Sequence, residues 1–347
     1  MRVDLTVIGW IIGTLIVLQV LLLAILVWRK ILRNRTEQRE QQRYAELLPE
    51  FVSHLYGETD LDVSKLKNDY RVAQRLASDI MSSTSDEGIQ EKVQTTAFEA
   101  LHKPYERALK DSSWPVRMNV LYYIQSFQMK GLAPLLRSRF EEMTVWDDEK
   151  KQLARTLASL GDLSILPAVF SDIQHSQKFY RDVLLRFPEE VDPQLLAYYE
   201  DTDNPSYQCA YLQRISDREA QEQIAQVEEA LANDLIEVRM QALKTIGNLY
   251  FMRTPELLRP FFTSSQWQER MLVAQTVRKL HINAFSEELS QLLGDAEWWV
   301  RYAAAETILE VEGAERLNFY VENHPDSFAR DMASQWLSTE SKLNAHA

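Results

Sequence analysis

The residues that most often do chemistry in proteins are few and scattered in this chain. No two of its six histidines lie within five residues of each other, and none is followed by glutamate, so the HExxH zinc motif is missing. The single cysteine, Cys209, can form neither a CxxC site nor an internal disulfide. GxxxxGK[ST], GxGxxG and GxSxG motifs are also missing from the sequence. The sequence therefore predicts no catalytic residue, no metal ligand and no cofactor.

The densest cluster of acidic residues is Asp147-Asp148-Glu149. Neighbouring carboxylates can bind a divalent cation. These three, however, stand at the head of a predicted helix, where negative charge interacts favourably with the helix dipole. Their position favours first-turn charge over a metal site.

An arginine recurs at a fixed interval and marks the elements that would position any site. Arg239, Arg270 and Arg301 are 31 residues apart, and Arg330 follows 29 residues later. Apolar residues follow the first three at +3, +7 and +10, which is one face of an α-helix. A period of this length indicates one supersecondary unit stacked on copies of itself. Weaker copies begin at Arg117, Lys150, Gln177, Gln208 and, most weakly, Gln90.

A second, shorter apolar stretch precedes these helices, and turn residues separate the two. Thr254-Pro255 and Asn204-Pro205 have the pattern of an N-cap followed by proline at the first helical position. The sequence predicts an all-α fold in which about eight helix–turn–helix units form an α-solenoid over residues 88–338. Aspartates that could cap a coming helix precede three of the arginines; they are Asp111, Asp234 and Asp295.

The repeats resemble HEAT repeats, through Val116-Arg117, Val238-Arg239 and Val300-Arg301 with their upstream aspartates. The 31-residue period is shorter than that of ordinary HEAT units and is similar to the short HEAT-like repeats of phycobilisome lyases. HEAT-fold iron hydroxylases use His–Glu pairs, which this sequence does not contain. The resemblance implies a structural ladder of aspartates and arginines along the stack. Its members here are Asp111, Arg117, Asp234, Arg239, Arg270, Asp295, Arg301 and Arg330.

Residues 5–28 carry no charged side chain and predict a transmembrane helix. Such a helix is about 36 Å long, enough for a ~30 Å hydrocarbon core. The alternative is a cleaved signal peptide, but the apolar run is too long and no small-residue cleavage site follows. Residues 29–43 carry six basic and two acidic side chains. The positive-inside rule then predicts a single-pass protein of a bacterial inner membrane, with its N-terminus outside and its repeats in the cytoplasm.

Two features of this anchor have further interpretations. The basic juxtamembrane segment 29–43 can act as stop-transfer charge, contact anionic lipid, or do both. Gly9 and Gly13 form a GxxxG pair that predicts packing of two membrane helices in a homodimer. The alternative is that glycine is simply common in membrane helices.

The anchor and the repeats are joined by residues 44–87, which predict a helical N-terminal cap, because a terminal repeat needs a modified outer face. The polar residues 339–347 predict a disordered tail. The formal net charge of the chain is −13. An acidic surface repels phosphate backbones and argues against nucleic acid as a partner. It favours partners with basic surfaces.

The face opposite each buried stripe predicts a partner-binding surface. The residue at +5 lies on this face, and in solenoids of the HEAT type the second helix lines the concave side. An ordinary solvated helix surface is the alternative. The predicted surface comprises Tyr122, Tyr123, Arg155, Asp182, Gln213, Lys244, Gln275 and Glu306.

These features predict a membrane-anchored scaffold that is not an enzyme and that binds a membrane-associated protein, for example a glycosyltransferase or a transporter. The choice of partner is an association, since folds do not determine functions. One alternative is a HEAT-like lyase or ligand-binding enzyme that acts on a bilin-like cofactor. Another is a membrane-bound sensor whose solenoid binds a signalling ligand.

Overall fold

The computed structural model describes residues 5–171 and 175–344, and within these ranges it contains helices and no β-strand. Side chains are described from Trp10 onward, apart from residues 11–12, 172–174 and 339–347. The predicted all-α fold is confirmed. The chain forms two compact units, Met1–Thr156 and Leu157–Ala347.

The first unit begins with α1 (Leu5–Leu55), one continuous helix of 51 residues. Its large apolar side chains from Leu15 to Leu32 are 46–66% exposed. By length and composition this helix can cross a membrane. The predicted boundaries at residues 28 and 43 do not interrupt it, because residues 29–43 contain neither glycine nor proline and are mostly good helix formers.

The C-terminal end of α1 is part of the packed first unit. Leu47, Phe51 and Leu55 are buried, and α1 packs against α3 (Tyr70–Ser83). Polar contacts join the same two elements: the Tyr44 hydroxyl donates to Asp79 at 2.8 Å, and Arg71 pairs with Glu40 at 3.2 Å. The remaining helices of the unit are α2 (Val63–Asn68), α4 (Glu87–Ala108), α5 (Trp114–Ser126), α6 (Ala133–Glu142) and α7 (Asp148–Ser159), whose last residues belong to the second unit.

The second unit continues the same alternation of longer and shorter helices. Its helices are α8 (Leu166–Ser171), α9 (Gln177–Arg186), α10 (Asp192–Asp201), α11 (Pro205–Asp217), α12 (Ile224–Glu229), α13 (Ile236–Leu249), α14 (Trp267–Leu280), α15 (Ser286–Leu293), α16 (Trp298–Glu312), α17 (Ala314–Asn323) and α18 (Ser327–Asn344). The longer helices α9, α11, α13, α14, α16 and α18 pack each on the next.

Each periodic position found in the sequence opens a separate helix. Arg239, Arg270, Arg301 and Arg330 are each the fourth residue of their helix. Gln90, the weakest copy, is likewise the fourth residue of α4. The predicted stripes are largely buried, because these helices pack side by side; Ala242, Ile246, Val273, Val277, Ala304 and Ile308 are 0% exposed.

The first helix of several repeats is wholly or partly 3₁₀ rather than α-helical. Residues Pro255–Thr263 form a 3₁₀ helix, and Pro260 within it lacks the N–H group that an α-helix would use. Short 3₁₀ segments also occupy Lys130–Leu132, Leu163–Ile165, Glu189–Val191, Gln221–Gln223 and Ala230–Ala232. A 31-residue period leaves little room for two full α-helices and their turns.

The longer helices end in a repeated left-handed conformation. The residue eleven positions after the periodic one has positive φ in five repeats, where it reverses the chain. At four of these positions the residue is not glycine, and positive φ is strained there. They are Gln128 (φ 48°), Glu219 (54°), Tyr250 (50°) and His281 (50°), while Gly161 (80°) occupies the fifth.

The C-terminal helix α18 extends to Asn344. The disordered tail predicted for 339–347 is therefore helical over 339–344, since these residues contain no glycine or proline that would end the helix. Residues 345–347 lie outside the described part of the chain.

Candidate functional site

The periodic arginine caps the turn that precedes its own helix. In Arg117, Arg239, Arg301 and Arg330 the Nη1 atom donates to the carbonyls six and five residues upstream, at 2.7–3.0 Å. Arg270 makes the first of these bonds, to Ser264, at 2.7 Å. These carbonyls lie where one helix has ended and the next has not begun, so they lack partners in a helix. The arginine satisfies them.

The other guanidinium nitrogens reach the next repeat. Arg270 donates through Nε and Nη2 to both carboxylate oxygens of Asp295, at 2.6 and 2.9 Å. Burial raises the pKa of Asp295, but the hydrogen bonds from Arg270 and from the Glu297 N–H outweigh it, and the net pKa is lowered. Arg239 donates through Nε to one carboxylate oxygen of Glu269, at 2.7 Å. The cross-repeat acid is thus an aspartate in one place and a glutamate in the other.

The remaining predicted ladder aspartates make shorter-range contacts. Asp111 accepts a hydrogen bond from the Ser113 N–H at 2.7 Å and offers its own carbonyl to Arg117. Asp234 contributes only its backbone carbonyl, to Arg239. The neighbouring Asn233 takes the capping role, accepting from the Leu235 N–H at 2.9 Å.

The acidic cluster at the head of α7 divides into separate roles. Glu149, whose side chain is 3% exposed, accepts hydrogen bonds from Arg117 and Arg139 at 2.5–3.1 Å. Asp147 caps α7 by accepting from the Lys150 N–H at 2.9 Å. Asp148 is exposed. Hydrogen bonds from Arg117 lower the pKa of Glu149; burial opposes this, and Arg139 adds to it.

A buried threonine joins successive long helices, and the sequence reasoning missed it. Thr245, Thr276 and Thr307 stand six residues after the periodic arginines and are 0–2% exposed. Each hydroxyl lies 2.9–3.1 Å from a carbonyl oxygen of the preceding long helix, namely that of Leu212, Leu243 or Ala274. In Thr276 and Thr307 the hydroxyl proton is shared with the carbonyl four residues earlier in the same helix, at 2.8 and 2.7 Å. The regular spacing of these threonines was the available signal.

In the repeat that begins at Gln208, one of those without the periodic arginine, a buried cation occupies the threonine position. Arg214, 3% exposed, donates to the carbonyls of Leu184 and Phe187 and pairs with Asp192. Burial lowers the pKa of Arg214, and the Asp192 carboxylate opposes this effect. These bonds join α11 to α9 in a part of the chain where the periodic arginine is missing.

The predicted partner-binding residues do not all share one environment. Tyr122 is 53% exposed, whereas Tyr123 is half-buried and stacks with Tyr105 and Phe127 at ring distances of 6.3 and 5.8 Å. Adjacent residues on a helix point in different directions, so only one of the two tyrosines is freely presented. Among the other predicted residues, two acids form ion pairs, Asp182 with Arg186 and Glu306 with Arg278. Arg155 is half-buried and also interacts with another group of the protein.

Three predicted partner-binding residues, Gln213, Lys244 and Gln275, lie in one cleft of about 540 Å³ on the second unit. This polar cleft crosses four successive long helices, α9, α11, α13 and α14. Its volume is in the range of ligand-binding pockets. The rest of its lining is Gln177, Ser216, Gln241, Leu243, Gly247, Asn248, Leu272, Thr276 and Lys279.

One wall of the polar cleft is held by a chain of hydrogen bonds. The Lys279 Nζ donates to the Asn248 Oδ1 at 2.7 Å, and the Asn248 Nδ2 donates to the Ser216 hydroxyl at 3.0 Å. Burial lowers the pKa of Lys279, as does the neighbouring charge of Arg278. Gly247 adjoins this wall, and a Cβ there would lie 3.1 Å from the Lys279 Cδ.

The membrane-dimer prediction concerns α1. Gly13 is exposed, and a Cβ added to it would meet nothing within 4 Å. The surroundings of Gly9 lie outside the described side chains.

Comparisons with known proteins add little to this geometry. No protein-family model matches the chain, and no curated protein sequence matches it. It is similar to the crystal structure of an engineered protein, with 14% identity, a TM-score of 0.34, and coverage of 83% of this chain and 98% of that one. It is also similar to human deoxyhypusine hydroxylase in complex with glycerol, with 15% identity, a TM-score of 0.28, and coverage of 78% and 97%. Similarities of this size carry no argument about function, so the resemblance to HEAT repeats stays a prediction.

Proposed function

We propose that this chain is a single-pass membrane protein whose HEAT-like repeats hold a protein partner near the bilayer. The observation that carries the proposal is α1, in which one unbroken helix leads from exposed apolar residues to the buried Leu47 and Phe51 of the first unit. A membrane helix that continues into a folded unit would couple that unit mechanically to the bilayer. Such a coupling suits a tether.

The orientation rests on charge. The basic residues of segment 29–43 are mostly exposed on α1, and positive charge beside a membrane helix favours the cytoplasmic side. The repeats would then be cytoplasmic. A cysteine replacing Arg2 should react with a membrane-impermeant maleimide in intact cells, whereas a cysteine replacing the exposed Lys110 should react only after lysis. The opposite pattern would reverse the proposed orientation.

The α-solenoid rests on the repeated connections between long helices. In the second unit the arginine–carboxylate pairs and the threonine–carbonyl bonds recur with the sequence period. The repeats that begin at Arg239, Arg270 and Arg301 thus each bond to the preceding long helix through a threonine hydroxyl. Contacts between neighbouring repeats are what stabilise solenoids. Solenoids offer long binding surfaces, and the polar cleft is one candidate on the second unit.

The scaffold proposal is tested by site-specific crosslinking in native membranes. A photo-reactive residue at Gln213 or Gln275 should crosslink one protein in near-equal amount to the full chain. The same probe at Lys110 or Arg253, both exposed and outside the cleft, is the matched control. Deleting residues 5–28 should abolish the crosslink if the partner is membrane-associated. A chain that purifies from mild detergent without any stoichiometric partner would refute a scaffold role.

A further inference from the structure

We infer that the polar cleft binds an extended peptide segment with acidic side chains, whose carboxylates meet Lys244 and Lys279. The inference rests on the proposed function and names the chemistry of the partner. It differs from what net charge alone favours, because a chain of charge −13 is expected to attract basic surfaces.

The local charge of the cleft is opposite to that of the chain. Among the described residues that line it, the charged side chains are Lys244 and Lys279, and no carboxylate is present. On the next long helix, Glu306 and Glu310 both pair with Arg278, at 3.0 and 2.9 Å. A negative ligand in the cleft therefore meets two cations and no unpaired carboxylate in the lining.

Several polar groups of the cleft are available to a ligand. Gln213, Lys244 and Gln275 make no side-chain hydrogen bond to another described residue. A glutamine amide carries both donors and an acceptor, so it can pair with the N–H and C=O of a peptide backbone. Asn248 holds Lys279 in place and uses only one of the three donors of its ammonium group.

The spacing of the helices suits an extended chain. The lining residues come from successive packed helices, and packed helices lie roughly 8–10 Å apart. An extended peptide in the polyproline II conformation has three residues per turn and rises about 3.1 Å per residue, so every third side chain lies on the same face, about 9 Å further along. A peptide lying across α11, α13 and α14 would therefore present every third residue to a new helix. This geometry favours a peptide over a single small anion, which would occupy one helix spacing only.

The test uses a fluorescein-labelled peptide of four Glu-Ser-Gly repeats and the full chain in detergent, at physiological salt. Binding is followed by fluorescence anisotropy. One control peptide carries lysine in place of glutamate, and another has its four glutamates together at one end. The variant is the pair Lys244→Gln and Lys279→Gln. The matched control is the pair Lys110→Gln and Arg253→Gln, which removes the same charge from exposed positions outside the cleft.

We expect saturable binding of the spaced acidic peptide, about tenfold weaker in the cleft variant and unchanged in the control pair, because each exposed ion pair adds a small increment. The clustered peptide should bind less tightly, and the lysine peptide should not bind. No saturable binding of the spaced peptide, equal binding of the lysine peptide, or inorganic phosphate occupying the same lysines with no preference for a peptide would each overturn the inference. A stoichiometric crosslinked partner could still be found in those cases, so the scaffold proposal would stand or fall separately.

Discussion

Replacing Glu149 by glutamine should destabilise the first unit strongly. The substitution keeps the size of the side chain and removes its charge. Arg117 and Arg139 would then face a neutral amide, and one carboxylate oxygen that accepts their hydrogen bonds would become an NH₂ donor. Two guanidinium groups would lose the acceptor that compensates their partial burial.

The magnitude follows from the exposures of the three side chains, which are 3% for Glu149, 16% for Arg117 and 28% for Arg139. Breaking a buried ion pair costs about 3–5 kcal/mol. Because water reaches Arg139 in part, we expect the lower end, about 3 kcal/mol. For a unit of 156 residues, this corresponds to a fall of roughly 9 °C in melting temperature.

The assay is calorimetry of the full chain in detergent at pH 7. The control is Asp148→Asn, the exposed neighbour, which should change the melting temperature by less than about 2 °C. The lowered pKa of Glu149 means that its stabilisation is present above pH about 4.3 and is lost as the pH falls through the folded-state pKa. The difference between wild type and variant should therefore shrink in acid. Equal, small shifts for both variants at pH 7 would refute this account of Glu149.

The other predictions concern the second unit. Thr276→Val should lower the free energy of unfolding by about 1 kcal/mol in urea titration, because the Leu243 carbonyl loses a donor. The control Thr276→Ser keeps the hydroxyl and should retain most of the wild-type free energy of unfolding. Equal losses in the two variants would contradict the hydrogen-bond account. Tyr250→Gly should raise the free energy of unfolding by about 0.5–1 kcal/mol, because glycine adopts positive φ without strain and the Tyr250 side chain is 69% exposed. A lower urea midpoint for this variant would count against backbone strain at Tyr250. Burial raises the pKa of the Cys209 thiol to about 11, so at pH 8 it should react with a disulfide reagent about 100-fold more slowly than in urea; equal rates would show that the thiol is not buried. Burial also raises the pKa of Tyr199 to about 12. The stability that the neutral phenol contributes is therefore complete below pH about 10 and is lost as the pH rises through 12. Equal unfolding midpoints at pH 9 and pH 11 would contradict the burial of Tyr199.

The features that depend on one helix alone could be predicted from the sequence. The spacing of Arg239, Arg270 and Arg301 located the starts of three helices, and the residues at +3 and +7 are buried as expected. Periodicity of this kind records which face of a helix is apolar. It therefore predicts the all-α fold and most of the core.

Features that depend on the neighbouring repeat could not be predicted in the same way. The sequence around Glu149 indicates first-turn charge, because nothing local shows that Arg117 and Arg139 converge on it. The left-handed residues Tyr250 and His281 were missed, because that conformation usually attracts glycine or asparagine. In both cases the arrangement is imposed by packing between elements.

The polar cleft contains part of the surface that the sequence predicts. Gln213, Lys244 and Gln275 share a face by helical geometry and meet in one cavity. Asn248 and Lys279 stand four residues after Lys244 and Gln275 and therefore share their helix faces. Helical geometry alone would have included them, but the predicted surface follows mainly the +5 positions. Tyr123 differs because the stack with Tyr105 and Phe127 turns it inward.

The unbroken α1 also sets a distance. Residues 29–39 are exposed, and the first half-buried residue beyond them is Glu40, which pairs with Arg71. Along the helix axis these residues measure roughly 16 Å, about two Debye lengths in physiological salt. The surface potential of an anionic leaflet would fall to roughly one-seventh over that gap. At this distance the carboxylates of the first unit would interact only weakly with the charge of the lipid headgroups. A membrane enzyme would need a domain that extends at least that far from the bilayer to contact the first unit.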